Sequence, residues 1–222
     1  MEKSRQYGRQ NYRDATITVM NDIIFRLEEE KDYRAVEHLT REAFWNVYKP
    51  GCDEHYLAYL LRKSSIFVKE LDYVAERNGQ IVGNIMYSLA RIEDGETSYP
   101  ALSFGPVSVL PQYQKCGIGS ALIQKTLALA KQMGFGCVII YGRASYYSRF
   151  GFVNAAKYHI TTKDGDNFDD FMALELRPQA LAKIKGKFYA LEGIDYINGL
   201  EEYDSTFPYK EKLVLPTQLF KE

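Results

Sequence analysis

Residues 102–152 constrain this chain more than any other stretch: LSFGPVSVLPQYQKCGIGSALIQKTLALAKQMGFGCVIIYGRASYYSRFGF. They read as a strand, a loop with two glycines, a long amphipathic helix, a second strand and an aromatic segment closing on Gly151-Phe152. A strand that feeds a glycine loop into a helix N-terminus is an anion-binding device. The first helical N–H groups have no intrahelical partner, and the helix dipole favours negative charge there. A phosphate-bearing ligand is therefore expected at residues 114–120. Strand, crossover helix and following strand form one βαβ unit with a right-handed connection.

Within that helix, spanning residues 117–133, Leu122, Ile123, Leu127, Ala130 and Met133 share one face, while Gln124, Lys125, Lys131 and Gln132 lie on the other. The pattern lays the helix on a sheet. Gly134 is placed to stop it, and CVII at 137–140 is the short apolar run of a buried strand.

Upstream, IIFRL at 23–27 reads as a strand, and residues 31–45 carry Tyr33, Val36, Leu39, Ala43 and Phe44 at helical spacing. A second helix is expected over 53–63 with Asp53 as N-cap, after a turn at Pro50-Gly51. Phe44, Trp45 and Tyr48 beside that turn are able to line a substrate mouth, although helix packing is the ordinary job of such residues. From residue 66 the period becomes that of strands. Residues 74–76 and 81–92 flank Asn78-Gly79 as a hairpin with a type I′ turn, and Asp94-Gly95 repeats the signal before a strand at 100–109. Gly105-Pro106 interrupts that third strand. Proline brings no N–H to a ladder and glycine marks a bulge, so the backbone at Val107 to Val109 is expected to be free for a ligand.

After residue 151, FVNAAKYHITT and FDDFMALEL flank Asp164-Gly165 as a closing antiparallel hairpin. Pro178 ends the regular pattern. The expected organisation is a flexible tail over 1–19, a folded domain over 20–177, and an extension over 178–222 that packs on the core or on a second subunit. A homodimer is compatible with that aromatic tail.

With 46% hydrophobic residues in 222, the chain is able to bury a sizeable core. A formal charge of -1 leaves no electrostatic footprint for nucleic acid. Cys52, Cys116 and Cys137 form neither a disulfide framework nor a zinc spacing, and His38, His55 and His159 lack metal-ligand spacing. No metal is expected. No run approaches the roughly 20 apolar residues of a membrane span, and the N-terminus has no signal-peptide pattern, so the cytoplasm is the expected compartment.

The glycine loop fits neither of two common phosphate motifs. A Walker loop needs glycine directly before Lys-Ser/Thr, but Gln124 precedes Lys125-Thr126. A dinucleotide fingerprint needs glycine where Leu122 stands. What remains is Gln114-x-x-Gly117-x-Gly119 at a strand-to-helix junction, followed by Tyr147-Ser-Arg-Phe-Gly151-Phe152. These two motifs, in this order and setting, resemble the GNAT family of N-acetyltransferases. FMALEL (171–176) is similar to the closing strand of a YhbS-like bacterial branch of that family.

The resemblance implies an α/β (α+β) fold: a mixed, mostly antiparallel sheet split at a bulged strand, with helices on both faces. It implies acetyl-CoA as co-substrate and direct acetyl transfer to a primary amine of a small molecule or peptide. It assigns Val107 and Val109 to the acetyl carbonyl and pantetheine arm, and Gln114, Lys115, Cys116, Gly117, Ile118, Gly119 and Ser120 to the pyrophosphate. Tyr147 takes the place of the tyrosine that protonates the leaving thiolate, and Tyr146 that of a packing residue. Two features depart from the family. YGRAS lacks the asparagine common before this short helix, and Ser103 stands where some relatives carry a glutamate base. Glu76, Glu93 and Asp94 are the carboxylates weighed as substitutes. The missing base motivates an alternative, a catalytically weak relative that binds or senses coenzyme A or an acyl-CoA. A redox role for Cys116, at a helix N-terminus that lowers a thiol pKa, is a further alternative.

Overall fold

Residues 81–88 (IVGNIMYS) are buried at every position, which only a strand covered on both faces can be. That strand is the centre of the molecule. The computed structural model describes residues 20–219, so the tail expected over residues 1–19 lies outside the described residues.

Nine strands are present among the described residues: β1 (Ile23–Leu27), β2 (Tyr73–Arg77), β3 (Gln80–Asp94), β4 (Thr97–Val109), β5 (Cys137–Tyr141), β6 (Val153–Asn154), β7 (Ile160–Thr162), β8 (Phe171–Glu175) and β9 (Gly186–Tyr189). They form one sheet in the order β1-β2-β3-β4-β5-β8-β6, with β9 pairing β3 and β7. All pairs on the main path are antiparallel except β4 with β5.

The β2–β3 turn uses Asn78 (φ 51°) and Gly79 (φ 79°), both left-handed as a type I′ turn requires. The β3–β4 turn sits one residue later than expected. Asp94 pairs with Thr97, leaving Gly95-Glu96 as the loop, and of these two Gly95 alone has positive φ. Glycine at the first loop position is the pattern of a type II′ turn.

Two irregularities open the sheet. Between the pairs Ile85↔Val107 and Tyr87↔Phe104, β4 advances three residues against two on β3, a bulge at Gly105-Pro106. On its other side, β4 pairs with β5 at Leu102↔Val138 alone. Beyond that point the two strands part.

The closing hairpin expected after residue 151 is only partly formed. Val153 and Asn154 pair with β8, but the Asn154 Oδ1 then accepts the Ala156 N–H (2.8 Å) and bends the chain into a 3-10 turn over Ala155–Tyr158. β7 therefore leaves β8 and joins β9 in parallel, and β9 pairs with Arg91 to Glu93 of β3. Residues beyond Pro178 thus supply a strand of the same sheet.

Helices α1 (Tyr33–Phe44) and α2 (Glu54–Leu61) cover one face, and α3 (Ile118–Gln132) the other. The alternation of β3 sorts its residues between them. Met86 packs on Ala58 and Leu61, and Ser108 of β4 donates to Thr40 Oγ1 of α1 (3.0 Å). On the opposite face the Tyr87 hydroxyl meets Thr126 Oγ1 of α3 (3.0 Å). Leu122, Ile123, Leu127 and Ala130 are buried, whereas Met133 is 44% exposed because it is the C-cap, past the last packed turn. Gly134 (φ 92°) ends α3: its N–H reaches Lys131 O and the Phe135 N–H reaches Ala130 O, the two bonds of a Schellman cap. Asp53 takes the N-cap position of α2, but its carboxylate is held by Lys49 and caps nothing.

The tail returns over α1 and α2. Its helix α5 (Leu200–Asp204) ends on Asp204, which binds the buried Arg41 through two hydrogen bonds (2.6 and 3.1 Å). Arg34 stacks 3.6 Å from the Phe207 ring centre, and the Trp45 indole donates to Glu211 O (2.9 Å). Between the helices and the sheet, the Arg62 side chain is 4% exposed and bridges Glu28 (2.7 Å) and Glu37 (2.9 Å) over the Tyr33 ring. Removing one member of such a cluster strands the others without water or partner. Arg62→Ala should therefore cost about 3–5 kcal/mol of unfolding free energy. A loss below about 1 kcal/mol in urea titration would place Arg62 in the solvent-exposed class of ion pairs.

Candidate active site

The end of β4 runs into a single 3-10 turn (Pro111–Tyr113) and then the loop 114–117. Lys115 (φ 62°) and Gly117 (φ 92°) both adopt left-handed backbone, which turns successive N–H groups toward one side. Gly117 is the N-cap of α3 and, having no side chain, forms no side-chain cap. The N–H groups of Ile118, Gly119 and Ser120 precede the first intrahelical bond, Ala121 N–H to Gly117 O (2.9 Å), and are left for a ligand. The Ile118 side chain is buried, so only its N–H faces this site. The Cys116 thiol donates to Gln114 O (3.5 Å) within the loop.

The β4 edge adjoining this loop is open. Leu110 N–H donates to Val82 O (3.0 Å), directing the polar groups of residue 110 toward β3. Because these groups alternate sides along a strand, those of Ser108 also face β3, and those of Val107 and Val109 face the gap beside β5. Val109 O accepts the Gln114 side-chain amide there (3.1 Å). The structure thus brings Val107, Val109 and residues 114–120 onto one continuous backbone rim.

Tyr147 closes the site from the far side of the gap. It ends the short helix α4 (Ala144–Tyr147), with its ring among Phe104 (5.8 Å between centres), Tyr146 (5.0 Å) and Phe152 (5.8 Å). Burial raises the Tyr147 hydroxyl above the ordinary tyrosine range, and Tyr146 and Tyr48 add to the rise. It stays protonated throughout the neutral range. A Cβ on Gly142 would lie 2.4 Å from Tyr147 Cε2, so the ring rests against bare backbone.

Three residues here escape a motif reading. Asp170 fastens the turn that carries Tyr147: its carbonyl accepts Gly142 N–H (2.7 Å), and its carboxylate accepts Ala144 N–H (2.8 Å). Tyr146, rather than Tyr147, reaches the glycine loop, with its hydroxyl 3.4 Å from Ser120 Oγ. Gly142 is needed for the packing just described. The one available signal is the short spacing from Gly142 to Tyr147. Asp170 lies 26 residues from Ala144 and carries none.

The remaining titratable groups have other partners. Glu76 is bound by Arg26 (2.8 Å) and Glu93 by Arg91 (2.6 Å), while Asp94 faces Lys185 (3.9 Å). Glu93 and Asp94 also sit at the β3–β4 turn, opposite Ser98 and Thr97 and so about 30 Å along β4 from Val107. His55 is fully buried between Cys52 Sγ (3.4 Å) and Asp204 Oδ1 (3.0 Å), and burial pushes its imidazole down to about 4. Among the described residues no cluster has the composition of a metal site, and no helix is long and apolar enough to cross a membrane.

Comparison with known proteins converges on one family. A model of the acetyltransferase (GNAT) domain matches residues 25–155. The Escherichia coli N-acetyltransferase YjhQ is 35% identical over 83 residues, 37% of this chain and 45% of YjhQ, so the match spans under half of that relative. E. coli YhbS is 23% identical over 164 residues, 74% of this chain and 93% of YhbS. Both relatives are themselves uncharacterized. The crystal structure of E. coli YhbS with CoA superposes with a TM-score of 0.67 at 24% identity, over 76% of this chain and 90% of that one. A GNAT acetyltransferase from Brucella melitensis, crystallised with acetyl-CoA, gives 0.64 at 28% identity over 78% of this chain and 98% of its own. The split beside β4, the uncapped end of α3 and a domain match over more than half of the residues agree: the chain belongs to the GNAT family of acetyltransferases.

Proposed function

We propose that this chain binds acetyl-CoA and transfers its acetyl group directly to a primary amine of a small molecule or peptide. The observation that carries this reading is the open edge of β4 at Val107 and Val109, which runs without interruption into the uncapped N-terminus of α3. The CoA and acetyl-CoA held by the two structural relatives support the same donor here.

The residues present fit the donor. The N–H groups of Ile118, Gly119 and Ser120, with the helix dipole behind them, suit a pyrophosphate. The alternating edge of Val107 and Val109 suits the amides of a pantetheine arm. Bound acetyl-CoA supplies the acetyl thioester. The Val107 N–H donates to the acetyl oxygen and stabilises the negative charge that grows there. Tyr147, kept protonated by its buried setting, donates to the departing sulfur. Neither role calls for a covalent bond to the protein.

Ser103 favours a second reading, a protein that binds coenzyme A or an acyl-CoA without turning it over. Calorimetry with acetyl-CoA, run beside thiol release on a panel of primary amines, separates the two. Binding with release supports the transferase, and binding without release on any amine supports the sensor.

Three substitutions test the site. Ser120→Glu puts a carboxylate in the first turn of α3, where it favours the helix but repels a pyrophosphate. It should leave the melting temperature unchanged or higher and weaken acetyl-CoA binding roughly 10- to 100-fold. Unchanged affinity would remove the pyrophosphate from this loop. Tyr147→Phe should lower kcat by roughly 10²-fold with little change in acetyl-CoA affinity; wild-type turnover would end the proton-donor role. Gly142→Ala, which displaces the Tyr147 ring, should reduce kcat in the same way while the protein remains folded by circular dichroism. Full activity would show that the ring's position is not critical.

A further inference from the structure

We propose that the acceptor is a diamine or polyamine, a small molecule with a second cationic group beyond the amine that reacts, and that Tyr141 and Phe168 form the platform on which that cation rests. The assignment rests on the acetyl-transfer reading of the site and names its substrate class.

The platform stands at the gap. Leu102 of β4 and Val138 of β5 pair in parallel, so three residues further along each strand Tyr141 stands across the gap from Gly105. Side chains alternate along β5. Val138 and Ile140 pack in one core with Leu122 and Leu127 of α3, whereas Cys137 and Ile139 pack on the opposite face with Ala101, Phe171 and Phe188. Tyr141 follows the second set. Its ring stacks on Phe171 (5.2 Å between centres, 24° between planes) and on Phe168 (6.0 Å, 19°). Gly142, the next residue, turns the other way and meets the Tyr147 ring. Tyr141 and Tyr147 thus flank one residue from opposite faces of the sheet. The coenzyme phosphates belong at the N-terminus of α3, on the Tyr147 face, so the donor fills the gap from that side and the amine arrives from the Tyr141 side. Ser103, two residues after Ala101, shares this second face.

The surface is held in place from below. Phe171 and Phe188 are buried, yet Tyr141 is 55% exposed and Phe168 is 47% exposed. Phe168 is fixed through its carbonyl, which accepts the Phe171 N–H (3.0 Å) and the Asn154 side-chain amide (2.9 Å). Two large rings kept half in water by a buried base offer a face to a ligand.

Charge selects the ligand. The loop that carries Phe168, residues 163–170, reads KDGDNFDD and sets four aspartates against Lys163. The Asp170 carboxylate is taken up by the Ala144 N–H (2.8 Å). Asp164, Asp166 and Asp169 are exposed and have no cation within ion-pairing distance among the described residues. Asp164 lies close enough to Tyr141 to join burial in raising its hydroxyl. An anionic ligand would be repelled here, and a neutral one would use the rings alone. A cation gains twice, because ring faces attract positive charge and the carboxylates reinforce them.

The same chemistry eases the lack of a carboxylate at Ser103. Two ammonium groups on one short chain repel, so one of them loses its proton at lower pH than a lone amine does. That end reacts while the other stays charged on the platform. As the C–N bond forms and the C–S bond breaks, the nitrogen releases one proton to solvent. Tyr147 gives one to the sulfur and regains one from solvent.

The test compares kcat/KM for terminal diamines of graded length with the monoamine and the ω-amino acid of equal length, with acetyl-CoA affinity measured in parallel. The wild-type protein should prefer the best diamine to its matched monoamine by roughly tenfold or more, with the amino acid poorest, and added salt should shrink that preference. Tyr141→Leu and Phe168→Leu should each raise KM for the diamine roughly 2- to 30-fold without weakening acetyl-CoA binding. Tyr141→Phe, which keeps the ring, should retain the preference, as a merely structural role for the hydroxyl would not. Asp164→Asn combined with Asp166→Asn should reduce both the preference and its salt dependence. Equal rates on diamine and monoamine, or a preference untouched by both leucine variants, overturn the assignment and leave the transferase reading intact. A protein that binds acetyl-CoA but acetylates no amine removes the reaction, and the assignment falls with it.

Discussion

Everything at the site depends on two strands that stop pairing. A parallel neighbour would normally satisfy the outer edge of β4 along its whole length, yet the ladder to β5 is a single pair at Leu102↔Val138. Buried backbone groups do not go unpaired without cost. A fold that leaves such an edge open must hold it open by other means. The bulge at Gly105-Pro106 does so on one side, and the aromatic wedge of Phe104, Tyr147 and Phe152 does so on the other. The gap is thus lined by main-chain donors and acceptors.

The two halves of the site draw on different physics. The donor half is almost entirely backbone: the edge of β4 and the first turn of α3 present N–H groups and a dipole that no change of pH removes. The half proposed to meet the amine carries titratable side chains on α1, α2 and the tail, where burial and neighbouring charge set each group's state. Glu54 is pushed up and His55 down, while Asp204 is held low by Arg41 against the opposing effect of its burial.

That division also explains what the sequence alone could and could not reveal. A backbone cradle needs glycine at fixed spacing beside a strand and before an amphipathic helix, and all of that is local. Residues 102–152 therefore disclosed the βαβ unit, the glycine loop and the register of Tyr147 to Phe152. Hairpin positions were legible for the same reason, with the β3–β4 turn off by one because Gly95 serves either adjacent turn type. The missed features are assembled over long separations. Asp170 meets Ala144 across 26 residues and Arg41 meets Asp204 across 163, and neither pair leaves a period or spacing to read. β9 is four residues and β7 three, too short to show alternation, so their parallel pairing was hidden as well.

The tail carries a consequence for the order in which the protein assembles. Its strand β9 cannot dock until β3 exists, and Asp204, Glu211 and Gln218 bind residues of the first third of the chain: Arg41, Trp45 and Asn46. On a ribosome that delivers the N-terminus first, the β1–β4 meander and the glycine loop are complete before these partners emerge. The loop bearing Tyr48 must wait. The strand edge and glycine loop thus form early in synthesis, while the helical layer waits for residues 186–218 to pack on it.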